Sequence, residues 1–132
     1  MRDRGERGAN LVELAILIPL LLLLLIGVAD LGRAFYGKIA VTNAAREGAR
    51  RGITLPFPML SGGVAEIEAV VRQELSSSGF DEDLVSITID ASGTSIIVTT
   101  AYPVHLVLGG MLGLPEELVV RNTAEMLWLV GA

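Results

Sequence analysis

From Leu14 to Ala29 the chain carries no ionisable side chain, only aliphatic residues and glycine interrupted by Pro19. Nothing else in the sequence restricts the fold as strongly. As a helix, residues 9–29 rise about 31 Å at ~1.5 Å per residue, roughly the thickness of bilayer hydrocarbon. Between Gly8 and Asp30 the single charge is Glu13. A carboxylate inside such a helix costs roughly 2 to 4 kcal/mol even on lenient insertion scales, so it needs a compensating partner. Pro19 removes one backbone hydrogen bond and crowds the preceding turn, a defect that membrane helices tolerate. A bend is expected there, either as a device for packing helices or as a kink without consequence.

What flanks this run is a pattern. Arg2, Arg4 and Arg7 precede it, Gly8 follows them, and Glu13 stands five positions further on. A basic leader, a glycine, a five-residue step to a glutamate and an apolar helix together resemble the processing signal of type IV pilins. The wording around it is more specific: Arg4-Gly5-Glu6-Arg7-Gly8-Ala9, Leu11-Val12-Glu13, Ile18-Pro19, Asp30-Leu31-Gly32-Arg33 and Asn43-Ala44-Ala45-Arg46-Glu47-Gly48-Ala49-Arg50. Over about residues 4–51 the chain resembles the TadE-like pseudopilins of tight-adherence (Flp-type) pili.

That resemblance implies a division of labour along the chain. Residues 1–8 would be a cytoplasmic leader, residues 9–30 a transmembrane and filament-core helix, and residues 31–132 an extracytoplasmic α+β domain of pilin-like plan. A prepilin peptidase would cut between Gly8 and Ala9. Glu13 would then occupy the fifth mature position and neutralise the new amine of Ala9 on an adjacent subunit. The implied partners are that peptidase, other pilins and pseudopilins, the assembly platform and membrane lipid. The implied location is the inner membrane, then the pilus or cell surface, as a homo-oligomer or filament. Major Flp pilins are much shorter and mostly helix, which favours a minor pseudopilin over a TadE-like subunit forming its own filament. Two readings compete. In one, the helix is an uncleaved anchor for an extracytoplasmic binding module, with Glu13 near the interface. In the other, Gly27-Val28-Ala29 supplies the small residues of a secretory cleavage site and the mature chain begins at Asp30.

With 132 residues, there is room for one domain beside the anchor. The net charge of -5 hides an asymmetry: residues 1–51 carry eight basic and five acidic groups, whereas residues 52–132 carry two and ten. An acidic domain argues against nucleic acid as a partner, because phosphate binding needs a clustered positive surface. The absence of cysteine rules out a disulfide framework and thiolate chemistry. Orientation is not decided by charge, since Arg33, Lys38 and Arg46 follow the apolar helix as closely as the leader arginines precede it.

Beyond Asp30, helical character continues to about Arg51 without a proline. At 100° per residue Ala34, Gly37, Val41, Ala44, Ala45 and Gly48 gather on one stripe. Small residues let a second backbone come close, so the stripe should pack either on its own domain or on a neighbouring helix. Residues 52–63, with two prolines and three glycines, read as a loop. Residues 64–75 place Val64, Ile67, Val70, Val71 and Leu75 on one side of an amphipathic helix, stopped at Gly79. Residues 84–90 and 95–104 alternate as two strands of a hairpin, with Val85, Ile87 and Ile89 facing one way. Residues 104–114 are almost wholly apolar but too short to cross a membrane, and read as a buried or subunit-facing connector. A third strand is expected over 117–129, with Leu118, Val120, Ala124, Met126 and Trp128 inward. The sum is a long helix, a second amphipathic helix and a small antiparallel sheet covering the distal half of the first.

No catalytic, cofactor or metal site is expected. His105 is the single histidine and stands in an apolar run without ligand spacing around it. Phosphate loops, dinucleotide fingerprints and nucleophile elbows are missing. Asp81-Glu82-Asp83 lacks the spacing of a calcium loop and reads as a helix-to-strand turn.

Overall fold

The computed structural model describes residues 3–55, 61–92 and 94–128. Helix α1, Asp3–Gly52, is continuous over 50 residues and remains helical through Pro19. No β-branched cluster or second proline interrupts it until the chain turns at Ile53. Its two halves live in different surroundings. Large apolar side chains from Leu11 to Leu25 are at least half-exposed except Ile18 and Leu23, whereas Ala40, Val41, Ala44, Ala45 and Ala49 are buried.

The stripe of small residues packs on the chain's own domain. Helix α2, Ser61–Ser77, lays Ile67, Val71 and Leu75 fully buried against it. It begins three residues earlier than its apolar spacing suggests, because Ser61, Gly62 and Gly63 join its first turn. Pro56 and Pro58 of the expected loop lie outside the described residues, as do Gly93 of the hairpin turn and Leu129. At the other end of α2, Gly79 takes a left-handed φ of 81°. The Phe80 amide then reaches Leu75 O at 3.1 Å and the Gly79 amide reaches Ser76 O at 3.0 Å, so both last-turn carbonyls are satisfied.

Strands β1 (Ser86–Ser92), β2 (Ser95–His105) and β3 (Glu117–Leu127) form an antiparallel meander in the order β1-β2-β3. Register runs from Ser92 opposite Ser95 to Ser86 opposite Ala101, and from Ser95 opposite Leu127 to His105 opposite Glu117. Alternation puts Ile96, Val98, Thr100, Tyr102 and Val104 of the central strand on the buried face. Pro103, which cannot donate to a ladder, falls beyond the last residue of β2 that β1 pairs, where one side of β2 is open. On β3, Val120 and Ala124 are buried and Met126 half-buried as the alternation requires, but Leu118 is exposed.

Strand β2 descends α1 toward its N-terminus. A Cβ placed on Gly52 would meet Ile96, on Gly48 Val71 and Val98, on Gly37 Val104, and on Gly27 Leu108. The β2–β3 connector, expected to be subunit-facing or buried, is therefore the end of the domain nearest the apolar half of α1. It holds a short helix, α3 (Val107–Leu112), in which Gly109 is buried while Met111 and Leu112 are exposed. Side chains tie the layers at the rim. Tyr36, Phe80 and Tyr102 form an aromatic cluster with centroid separations of 5.4 and 5.0 Å. Arg51 pairs with Glu66 across α1 and α2, its Nε 3.0 Å from Oε1. Such exposed pairs contribute little.

Candidate assembly site

The residues expected to govern processing and assembly, Gly8, Ala9 and Glu13, all lie on the exposed N-terminal half of α1. At Gly8 a Cβ would meet nothing within 4 Å among the described residues, which leaves the Gly8–Ala9 bond uncovered by them. Ala9 and Glu13 are four residues apart, on one face of the helix and about 6 Å apart along its axis. Glu13 is exposed and has no hydrogen bond or ion pair among the described residues. Around it Leu11, Val12, Leu14, Ile16 and Leu17 are 50–69% exposed. This is a rod of apolar surface with one carboxylate, and α1 is long and apolar enough to cross a membrane.

Where the rod meets the domain, a second carboxylate is handled in the opposite way. Asp30 is 5% exposed. Its Oδ2 accepts the amide hydrogen of Leu108 at 2.7 Å and its Oδ1 accepts from Arg33 Nη1 at 2.9 Å. The local reason lies in α3. Its N-cap position is Leu106, whose side chain cannot accept a hydrogen bond, so the first-turn amides have no local partner. Asp30 supplies the acceptor from 78 positions away. The connector closes on itself elsewhere: Leu106 N donates to Glu116 O at 2.6 Å, and Gly113, at φ 69°, lets Leu114 N reach Gly109 O at 2.9 Å.

Sequence reasoning noticed Asp30 as the end of the apolar run and as part of a family pattern, but not as a cap. The available signal was an apolar connector, residues 104–114, that contains no Ser, Thr, Asp or Asn. His105 lies exposed at the end of β2, and the strand register sets it opposite Glu117. Between Arg33, Tyr36, Tyr102, His105 and Glu117 the surface forms an open groove.

An apolar rod bearing a small α+β domain, with the rod's far half serving as the spine of that domain, is the α+β plan with a long N-terminal helix that the sequence led us to expect. Residues 8–50 match the family model of TadE-like proteins, which bears out the resemblance read from the sequence across that stretch. Neither a curated protein nor a solved structure matches the chain.

Proposed function

We propose that this chain is a minor pilin or pseudopilin of a tight-adherence pilus. It is held in the inner membrane by residues 9–30 with its domain outside the cytoplasm, and is cut after Gly8 by a prepilin peptidase. It then enters a filament or the complex that initiates one. The observation that carries the reading is Glu13, the one ionisable group in an exposed apolar rod, four residues beyond the amine that cutting would free at Ala9. Cleavage creates the counter-charge, and a neighbouring subunit brings it close in apolar surroundings. Such a pair adds little net stability but penalises misregister, because either charge left alone is expensive.

A second feature supports assembly. Leu31, Phe35 and Ile39 are 57–63% exposed and continue the apolar surface of the rod along α1, from Leu31 at the edge of the groove beside α3 to Phe35 and Ile39 further along the helix. Residues four apart on a helix form a stripe, the geometry that receives an apolar helix of a neighbouring pilin. The domain suits a priming or tip subunit rather than a bare polymer. The test is the intact mass of protein purified from its own cells. A chain lacking residues 1–8 is expected. A mature chain retaining Met1 would reduce the protein to an anchored module, and one beginning at Asp30 would make it a secreted domain.

A further inference from the structure

We propose that the β2–β3 connector is a lipid-contacting foot, which rests α3 and the residues after it on the outer surface of the bilayer. This goes beyond pilin identity and rests on the reading of residues 9–30 as a membrane anchor.

Three observations carry it. The first is height. Measured from Ala9, Asp30 stands about 31 Å along the helix, at the far edge of a hydrocarbon layer that the rod would just cross. Leu108 is fastened to Asp30 by a 2.7 Å hydrogen bond, and its side chain reaches Gly27, one turn deeper. The connector is thus held at the level where hydrocarbon gives way to headgroups, and β2 descending α1 makes it the lowest part of the domain. The second is chemistry. Residues 106–114 contain no charged or hydroxyl side chain, and the acidic groups nearest them, Glu116 beside Gly110 and Glu117 at the groove, come from the start of the climb back into β3. Met111, Leu112 and Leu114 are 54–59% exposed. The third is continuity. Leu108, Gly109 and Leu114 join Gly27, Leu31 and Ala34 around one apolar groove of about 470 Å³, so the foot prolongs the apolar surface of the anchor.

An apolar segment at this depth gains by dipping into the headgroup and acyl boundary, while the backbone of α3 stays satisfied through its own turn, Asp30 and Gly113. A foot fixed to the anchor also sets the tilt of the domain over the membrane, and it must leave lipid when the subunit is extracted.

The absence of cysteine allows single labels. Met111→Cys, Leu21→Cys and Ser77→Cys variants of the full chain are labelled with an environment-sensitive fluorophore and placed in phospholipid nanodiscs. They are then titrated with lipids nitroxide-labelled at shallow or deep positions and with aqueous iodide. The foot predicts Met111 emission quenched about twofold or more by shallow nitroxides and several-fold less accessible to iodide than Ser77. Leu112→Cys should repeat the result. Iodide access at Met111 with Leu21 quenched by lipid would overturn the foot and leave the anchor standing. Protection of Met111 from both quenchers would assign this surface to a second copy of the chain and overturn the lipid contact. An unquenched Leu21 would remove the anchor and the foot together.

Discussion

The carboxylate of Asp30 and the amide of Leu108 are 2.7 Å apart, and this one hydrogen bond fastens the tip of the sheet to the top of the apolar rod. Arg33, one turn further along α1, holds the other carboxylate oxygen at 2.9 Å. Asp30 and Arg33 belong to the Asp30-Leu31-Gly32-Arg33 wording by which the chain resembles TadE-like proteins, so that wording has a structural task here. It gives α3 a cap that its own sequence lacks.

Replacing Asp30 with alanine should remove that acceptor and leave the first turn of α3 uncapped. Loss of an N-cap acceptor typically lowers the melting temperature of a domain this size by about 5 °C. Asp30→Asn, which keeps an acceptor oxygen, should lose less. Thermal unfolding of the full chain in detergent, followed by circular dichroism, measures both. Equal effects of the two substitutions would mean that the charge and its Arg33 pair matter rather than the cap.

Gly48 of α1 faces α2 and β2. A Cβ there would stand 2.6 Å from Val71 Cγ2 and 3.3 Å from Val98 Cγ1. Gly48→Ala should therefore destabilise the domain by roughly 1 to 3 kcal/mol through overpacking, despite the better helix propensity of alanine. Val71→Ala alone should also destabilise, by opening a void beside a helix it now fills. The double substitution should cost less than the sum, and a double-mutant cycle by urea unfolding would measure the coupling. Strict additivity would show that the two sites relax independently.

Thr100 is fully buried on the α1-facing side of β2, and its hydroxyl has no hydrogen-bond partner among the described residues. Valine has nearly the same shape and leaves no polar atom to desolvate. Thr100→Val should stabilise the domain by about 1 kcal/mol, visible as a raised urea midpoint at unchanged slope. A loss of stability would mean that the hydroxyl finds a partner, such as a buried water.

Much of this architecture was legible because period and punctuation are local. Val64, Ile67, Val71 and Leu75 announced α2, Gly79 announced its end, and the alternation from Val85 to Ile89 announced β1. The small stripe from Gly37 to Gly48 announced a close approach but left open what approaches. Only the tertiary arrangement, with Val71, Val98 and Val104 seated on those glycines, assigns it to the chain's own domain. Leu118 shows the limit of alternation: it occupies an inward position on β3, yet lies 45% exposed near the strand's start, where the sheet reaches the exposed connector. Asp30 shows another. A cap delivered across 78 positions leaves only its vacancy in the local sequence, a helix start with no acceptor of its own.

Glu13→Gln isolates charge from size at the proposed assembly position. Glutamine is neutral, so the anchor should insert at least as readily, and the exposed Gly8–Ala9 bond is untouched; cleavage should proceed and the mature mass should still begin at Ala9. What changes is the environment of the freed Ala9 amine. In an assembled subunit it would lie in apolar surroundings without its counter-charge, a defect costing about 3 to 5 kcal/mol when one member of a buried pair is removed. That is enough to reduce incorporation by more than a hundredfold at equilibrium. Glu13→Asp keeps the charge on a shorter arm and should recover part of it. Quantifying the subunit in sheared pilus fractions against the membrane pool tests the idea directly. Wild-type incorporation of the Gln variant, with cleavage intact, would refute the pairing of Glu13 with the amine.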